Sequence, residues 1–151
     1  MDYQLEVIIV PVSDVDRSLA FYTDQVGFTL DIDYRPSDKF RVVQLTPSGL
    51  ACSVQIGIGL TDAVPGTAHG MYLVVSDLER VRQEFTTRAV DVSEIRHKSP
   101  KETWQGGFQP GIDPDHGDYA SFAELTDPDG NTWTLQERNY RSPSQASAGS
   151  N

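Results

Sequence analysis

Val12-Ser13-Asp14-Val15-Asp16-Arg17 recurs in the second half of the chain as Val75-Ser76-Asp77-Leu78-Glu79-Arg80. A short apolar run precedes each copy, Ile8-Ile9-Val10 in the first half and Met71-Tyr72-Leu73 in the second. Self-similarity of this kind is typical of a duplicated supersecondary unit. The repeat therefore predicts two copies of one module.

Each copy also carries a signal for the start of a helix. Ser13 with Asp16, and Ser76 with Glu79, place a hydroxyl cap three residues ahead of an acid. Two apolar stripes at helical spacing follow, which predicts that both helices pack against a sheet. The stripes are Val15, Leu19, Tyr22 and Val26 in the first half and Leu78, Val81 and Phe85 in the second.

Runs rich in β-branched and aromatic residues complete each module. In the first half, strands are predicted at 28–34, 40–46 and 51–58. In the second half they are predicted at 70–75, 90–96, 119–126 and 132–137, with the helix near 77–88. Both halves thus follow the order strand, helix, three strands, with 59–67 as a linker between them.

Composition restricts the classes of function. A chain of 151 residues that is 38% hydrophobic fits one average domain. With 12 Lys and Arg against 22 Asp and Glu, its net charge of −10 argues against nucleic-acid and membrane partners. The single cysteine, Cys52, allows no internal disulfide, and the cytoplasm follows as the expected location.

Residues 97–118 break the symmetry of the two halves, because a short turn would suffice there. This segment is rich in Gly, Pro and charge and holds Trp104, Phe108, His97 and His116. Loops of this length inside a compact domain are usually functional. The segment is predicted either to cover a pocket as a lid or to serve as a decorative or dimer-contact loop.

Several motifs together resemble the vicinal oxygen chelate superfamily, which includes glyoxalases, bleomycin-resistance proteins and extradiol dioxygenases. They are the repeated Val-Ser-Asp, the helical Phe21-Tyr22, the following Gly27-Phe28 and the late turn Asp127-Pro128-Asp129-Gly130-Asn131. The turn alone would be an ordinary turn signal. Its position after two modules makes the resemblance specific, over roughly residues 4–138.

The resemblance implies an α+β fold, in which tandem βαβββ modules form an open, cup-like mixed sheet with the helices on its convex face. The domain is expected to span 1–138, with modules at about 4–58 and 69–138. A tail at 139–151 is expected to be disordered. Members of this superfamily often pair, so a homodimer is expected, with exchanged modules a lesser possibility.

The resemblance also locates the positions of metal ligands in each module. It places them at Val7 and Gly70 on the first strands, at Thr134 on the last strand, and near Gln55. Catalytic zinc sites use three protein ligands, and these four residues do not supply them. No metal and no other cofactor are therefore predicted, and His69 is set aside because strand alternation turns it to the opposite face from Gly70.

Strand alternation divides the remaining side chains between two faces. The predicted helix-facing set is Val54, Ile56, Met71, Leu73, Val75, Trp133 and Leu135. The predicted ligand-binding set is Val7, Ile9, Ser53, Gln55, Gly70, Tyr72, Thr134 and Gln136, together with Trp104 and Phe108 from the loop. Val74 and Thr132 share this second face. Its mixture of apolar, amide, hydroxyl and phenol groups suits a planar, partly polar organic molecule.

Three functions fit these residues. The first is a metal-independent protein that binds a small organic molecule, cationic or neutral by the overall charge, in the manner of bleomycin-resistance proteins. The second is a metal-free isomerase, cyclase or lyase with His116 and Glu124 as catalytic residues, or with His97 or Tyr72 in those roles. The third is a metal-dependent glyoxalase-like lyase or dioxygenase with Gln55, His69 and a loop residue as ligands.

Overall fold

A computed structural model describes residues 1–142 of the chain. The chain forms two compact units. Unit 1 comprises Met1–His69 with Thr126–Thr132, and unit 2 comprises Gly70–Leu125 with the segment from Trp133 onward. Within the described range, no helix is long and apolar enough to cross a membrane.

Unit 1 contains one complete module. Its elements are β1 (Val7–Ile9), α1 (Val15–Ala20), which continues as a π-helical turn (Phe21–Gln25), β2 (Thr29–Ser37), β3 (Phe40–Thr46) and β4 (Ser53–Ile58). The sheet has the order β1-β4-β3-β2, with β1 parallel to β4 and the other pairs antiparallel.

Unit 2 repeats this plan with an inserted hairpin. Its elements are β5 (Met71–Val75), α2 (Leu78–Thr87), β6 (Asp91–Val92), β7 (Arg96–Lys98), β8 (Phe108–Pro110), β9 (Ser121–Thr126) and β10 (Thr132–Glu137). The order is β5-β10-β9-β7-β8, β6 pairs with β9, and β5 runs parallel to β10. The two modules, predicted from the repeat, and the α+β class with open mixed sheets, implied by the family resemblance, are confirmed.

One face of each sheet is buried as the strand alternation predicted. Val54 and Ile56 on β4 are 2% and 0% exposed, and Trp133 and Leu135 on β10 are 2% and 1% exposed. Burial also alternates along β5 with a period of two, and Tyr72, on the less buried face, is 57% exposed. Burial of one apolar face therefore fixes which side chains remain on the other.

The caps of both helices lie one residue later than predicted. Asp14 and Asp77 are the N-caps, and their carboxylates accept hydrogen bonds from the amides of Arg17 and Arg80, each at 3.1 Å. A carboxylate at this position also interacts favourably with the positive end of the helix dipole. The Ser13 hydroxyl, predicted to be the cap, instead donates to Asp129.

The apolar stripe of the first helix is also partly wrong. The Val26 amide bonds to the Phe21 carbonyl at 3.0 Å, five residues back, so the π-helical turn adds a residue and shifts the buried face. Val15 and Tyr22 are buried as predicted, but Ser18 and Phe21 are buried instead of Leu19 and Val26.

The late turn of the second module belongs to unit 1, where buried hydrogen bonds hold it. The Asn131 side chain is fully buried and donates to the Pro11 carbonyl and to Asp127 Oδ2, each at 2.8 Å, and it accepts from the Ala68 amide at 3.0 Å. The Tyr22 hydroxyl donates to Asp127 Oδ2 at 2.8 Å. These bonds fix the entry to α1 beside the end of β1.

Arg41 joins the β2–β3 hairpin to α1 on the buried side of unit 1. Its guanidinium donates to both oxygens of Asp33 at 3.0 and 2.8 Å and to Asp16 at 2.7 Å. The bidentate contact with Arg41 lowers the pKa of Asp33 below its ordinary value. This cation is therefore fully engaged with carboxylates.

The segment 97–118 is more ordered than a loop. β7 and β8 within it pair antiparallel, with Arg96 opposite Pro110 and Lys98 opposite Phe108. The strand predicted over 90–96 is split into β6 and β7. The segment thus widens the sheet of unit 2 by one strand.

The carboxylate of Asp113 stabilises the segment that follows the β7–β8 hairpin. Asp113 is buried and accepts from the Gly117 amide at 2.9 Å and from the Lys101 ammonium at 3.0 Å. Burial raises the pKa of Asp113, but the Gly117 amide and the Lys101 ammonium outweigh it, so the net pKa lies below the ordinary value. Lys101 also contacts Asp115 at 3.2 Å, and the hydrogen bond to Asp113 raises its own pKa.

Of the predicted disordered tail, residues 143–151 lie outside the described range. Within it, the Tyr140 ring stacks on His116, with centroids 3.6 Å apart. The Arg141 amide donates to the Ser76 carbonyl at 3.2 Å. The chain therefore continues along unit 2 to at least residue 141.

Asp113→Asn is expected to lower the free energy of unfolding by about 1 to 3 kcal/mol, because the Gly117 amide and the Lys101 ammonium lose a buried, charged acceptor. A carboxyl with a lowered folded pKa stabilises the protein above its unfolded pKa of about 4, and this stability is lost as pH falls. The variant should therefore lose less stability than the parent between about pH 5 and pH 3. Urea unfolding across that range measures both effects.

The matched control is Asp115→Asn, since Asp115 contacts the same ammonium but its side chain is 83% exposed. Exposed ion pairs contribute little, so this variant should change stability by less than about 1 kcal/mol. Equal losses in the two variants would contradict the role assigned to Asp113.

Candidate ligand-binding faces

Each unit leaves one sheet face uncovered by its own helix. We call this the open face, and in unit 1 β1, β3 and β4 contribute to it. Val7 lies beside Ser53 and Ile9 beside Gln55, so the structure brings these four predicted residues together. The Gln55 amide donates to the Gln44 side chain at 3.1 Å on the neighbouring strand. Ile9 is 41% exposed, whereas Ser53 is buried at 8% and its hydroxyl lies 2.8 Å from that of Thr46, so Ser53 is the least accessible of the four.

The open face of unit 2 is built on β5, β9 and β10. Tyr72 lies beside Thr134 and Val74 beside Gln136, as the predicted face requires. Tyr72 and Val74 are 57% and 53% exposed. The Gln136 amide donates to the Tyr119 carbonyl at 3.2 Å. A phenol, a hydroxyl and an amide thus lie beside Val74 on this face.

Gly70 precedes β5 with a φ of +80°, a conformation that L side chains rarely adopt. A Cβ added there would meet no atom within 4 Å. Backbone conformation therefore explains the glycine, and open space lies beside it.

The β7–β8 hairpin carries Trp104 and Phe108 to the same face of unit 2. The ring of Phe108 packs edge-on against Trp104 and against Phe122 of β9, each at 5.7 Å between centroids. Trp104 and Phe108 are 39% and 41% exposed, whereas Phe122 beneath them is buried. Both predicted loop aromatics therefore lie on the sheet, with part of each ring accessible.

Two cations stand over these rings and were not predicted as site residues. The guanidinium carbon of Arg96 lies 4.8 Å from the Phe108 centroid, and the Lys98 ammonium lies 4.4 Å from the Trp104 centroid. Lys98 lies in 97–118, which was interpreted as a loop, and Arg96 ends the strand predicted over 90–96, whose side chains were not assigned to a face. Gly106-Gly107 between Lys98 and Phe108 is the turn signal that could have revealed a hairpin.

The two predicted catalytic residues contact different partners. His116 Nδ1 lies 2.7 Å from Glu137 Oε1, on the buried face of β10, and its ring stacks on Tyr140. Glu137 is fully buried, and its other oxygen accepts from the Leu78 amide at the start of α2 at 2.9 Å. Glu124 lies on β9, where its backbone exchanges hydrogen bonds with Ser93.

The remaining histidines also have local partners. His69 Nδ1 lies 2.7 Å from the Thr132 hydroxyl within unit 1. His97 Nδ1 lies 2.8 Å from the Gly111 carbonyl in the β7–β8 hairpin. Both contacts are typical of histidines that stabilise local structure.

The donors at the four expected metal positions do not fit a metal ion. Val7 and Gly70 offer no side-chain donor, Thr134 offers a neutral hydroxyl, and Gln55 is hydrogen-bonded to Gln44. Across residues 1–142, no group of three or more His, Cys, Asp or Glu side chains is arranged to hold a metal. We therefore derive no chemistry through a metal.

Two pockets, one in each unit, lie largely away from the predicted ligand-binding residues. In unit 2, a pocket of about 550 Å³ is bounded by α2 and by the segments at 94–95 and 110–112. In unit 1, a pocket of about 300 Å³ lies between the end of β1 and the linker at 57–65, and Ile9 alone of the predicted ligand-binding residues lines it. The open faces are thus exposed surfaces within each unit.

Comparisons with known proteins support the fold. The family model of the Glyoxalase/Bleomycin resistance protein/Dioxygenase superfamily matches residues 4–135. No curated protein matches the chain.

Several solved structures share the fold over most of their length. TnmS3, an antibiotic binding protein from Streptomyces sp. CB03234, is 26% identical with a TM-score of 0.69, covering 91% of this chain and 97% of TnmS3. A glyoxalase/bleomycin resistance protein from the same organism is 26% identical with a TM-score of 0.65, covering 88% and 99%. A superfamily member from Sphaerobacter thermophilus DSM 20745 shares the fold at 23% identity, with a TM-score of 0.67 and coverage of 91% and 98%.

The family match spans both modules of the repeat, including the first strand and most of the last. The chain therefore belongs to the glyoxalase/bleomycin resistance protein/dioxygenase superfamily.

Proposed function

We propose that this protein binds a small organic molecule on the open faces of its sheets, without a metal ion and without turning it over. The observation that carries the proposal is the character of these faces. Where the superfamily places metal ligands, this chain has Val7, Gly70, Thr134 and a hydrogen-bonded Gln55. Around them lie apolar side chains with a few hydrogen-bonding groups, a combination that suits organic ligands.

The similarity to TnmS3 supports this proposal. That protein is described as antibiotic-binding, and it matches 91% of this chain at 26% identity. Fold alone would be a weak argument, because one fold hosts many functions. The open-face residues give the proposal its physical basis: apolar contact supplies affinity, and groups such as Tyr72, Thr134 and Gln136 orient the ligand.

The metal-free isomerase or lyase has less support. An acid–base mechanism requires both groups to reach the reacting atoms. His116 bonds to Glu137 on the buried side of β10 and lies against Tyr140. Its backbone has a φ of +48°, which further restricts its placement.

A homodimer remains part of the proposal. β2 is a nine-residue strand at the edge of the unit 1 sheet, and every residue in it is exposed. Ile32 and Tyr34 on this strand are 50% and 56% exposed. Exposed apolar side chains on an edge strand favour contact with another chain. Sedimentation velocity should give twice the monomer mass, and a monomer at micromolar concentration would contradict this expectation.

Metal independence is tested by thermal unfolding in the presence of a panel of aromatic antibiotics, with and without EDTA. A compound that binds the native state raises the melting temperature by mass action. We expect at least one compound to raise it equally in both conditions and to be recovered unchanged by mass spectrometry. A shift that disappears with EDTA and returns with zinc or manganese would contradict the proposal, as would conversion of the compound.

The open face of unit 2 is tested with Tyr72→Ala, using the compound that gives the largest shift. Loss of one aromatic contact should weaken binding about 3- to 10-fold, since such contacts contribute about 0.5 to 1.5 kcal/mol beyond area burial. Stability should change little, because Tyr72 is 57% exposed. Tyr3→Ala removes a tyrosine that is 85% exposed outside the sheets and should leave binding unchanged. Equal affinity of the two variants would exclude Tyr72 from the site.

A further inference from the structure

We propose that the open face of unit 2 selects flat aromatic molecules that carry a negative charge. The selecting group is a cluster of two cations and three aromatic rings, which we call the aromatic–cation cluster. Its members are Arg96, Lys98, Trp104, Phe108 and Phe122. This inference rests on the proposed binding function and names the chemical class of its ligand.

The geometry of the cluster places both cations over rings. Arg96 lies 4.8 Å from the Phe108 centroid and 5.9 Å from that of Phe122. Lys98 lies 4.4 Å from the Trp104 centroid and 5.7 Å from that of Phe122. All four distances are within the range of cation–π attraction. The rings therefore hold both cations at fixed positions on the face.

These contacts leave the hydrogen-bond donors of the cations available. A guanidinium has five N–H donors, and attraction to a ring does not occupy all of them. Such N–H groups match the two oxygens of a carboxylate or sulfonate. Arg96 and Lys98 are half-buried, so a bound anion would be partly shielded from water.

Arg96 and Lys98 contact aromatic rings, whereas several other cations contact carboxylates. Arg41, Arg80, Arg82 and Lys101 all contact carboxylates. In the described range, neither Arg96 nor Lys98 forms an ion pair, although the chain carries 22 Asp and Glu. Two cations that avoid carboxylates in an acidic protein, beside exposed rings, are suited to an anion supplied by a ligand.

The rings supply the other half of the recognition. Trp104 and Phe108 are 39% and 41% exposed, and the indole N–H of Trp104 is already used, donating to the Gly107 carbonyl at 2.6 Å. What they offer a ligand is therefore ring surface, on which a flat aromatic system can stack. Glu124, two residues beyond Phe122 on β9, disfavours an anion on its side, so the charged group should lie toward β7.

This conclusion differs from the ligand charge expected from composition. The net charge of −10 predicted a cationic or neutral ligand. Local charge decides binding at short range, because charges farther than about 8 to 10 Å are screened at physiological salt. Arg96 and Lys98 therefore outweigh the carboxylates elsewhere on the surface.

The experiment compares three probes of one shape by isothermal titration calorimetry: 2-naphthoate, neutral 2-naphthamide and cationic 2-naphthylmethylammonium. We expect 2-naphthoate to bind at least about tenfold tighter than 2-naphthamide, with the cation weakest, because charge-assisted hydrogen bonds are the stronger ones. Raising the salt concentration should reduce the difference.

Variants identify the groups responsible. Arg96→Gln and Lys98→Gln should reduce the preference for naphthoate over naphthamide to a few-fold or less. Phe108→Leu should weaken both probes, because it removes ring surface, and should reduce the preference for naphthoate only in part, because Arg96 loses one of the two rings near it but keeps its charge. Arg80→Gln removes one positive charge from α2, where Arg80 pairs with Glu84, and should leave the preference intact. Melting temperatures near the parent value verify that each variant is folded.

The outcomes separate this inference from the proposed function. Equal affinity for naphthoate and naphthamide, or an equal loss of preference in Arg80→Gln and Arg96→Gln, would overturn the role of the cluster. The role of the cluster would also be overturned if aromatic antibiotics stabilise the protein while none of the three probes binds. The proposed function would stand in that case. If no organic compound of any charge binds, both fail.

Discussion

The fold and its candidate site depend on one constraint, the burial of alternate side chains along paired strands. Val54, Ile56, Trp133 and Leu135 are sealed beneath one face of each sheet. Shifting any of these strands by one residue would bring polar groups such as Gln55 or Thr134 into the core, at the cost of burying them without partners. The register is therefore fixed by packing, and the composition of the open face follows from it.

This constraint explains which features could be predicted from the sequence. The repeat and the period of two predicted both modules, the bounds of β3 and β10, and the shared face of Tyr72 and Thr134. The sequence alone could not decide between neighbouring residues that are equally able to cap a helix. Ser13 and Asp14 are both good caps, and only the placement of Asp129, far away in the sequence, decides that the serine bonds elsewhere.

The hairpin of unit 2 was harder to predict, for a related reason. β7 and β8 have only three residues each, too few to show a period, and their pairing depends on contacts with β9. Arg96 and Lys98 lie on β7, whereas Trp104 and Phe108 come from the segment that follows it and adds β8 to the sheet. Features repeated in both modules were thus visible in the sequence, whereas the pairing of β7 with β8 became visible with the structure.

We propose that this superfamily fold recognises its ligand through rings, amides and fixed cations in place of a metal. A crystal structure of the protein with a bound aromatic ligand, including anomalous scattering data, tests this most directly. We expect ligand density on the open face of unit 2 against Tyr72 and Phe108, with no anomalous peak beside the ligand. An ion coordinated by protein side chains and touching the ligand would contradict the account.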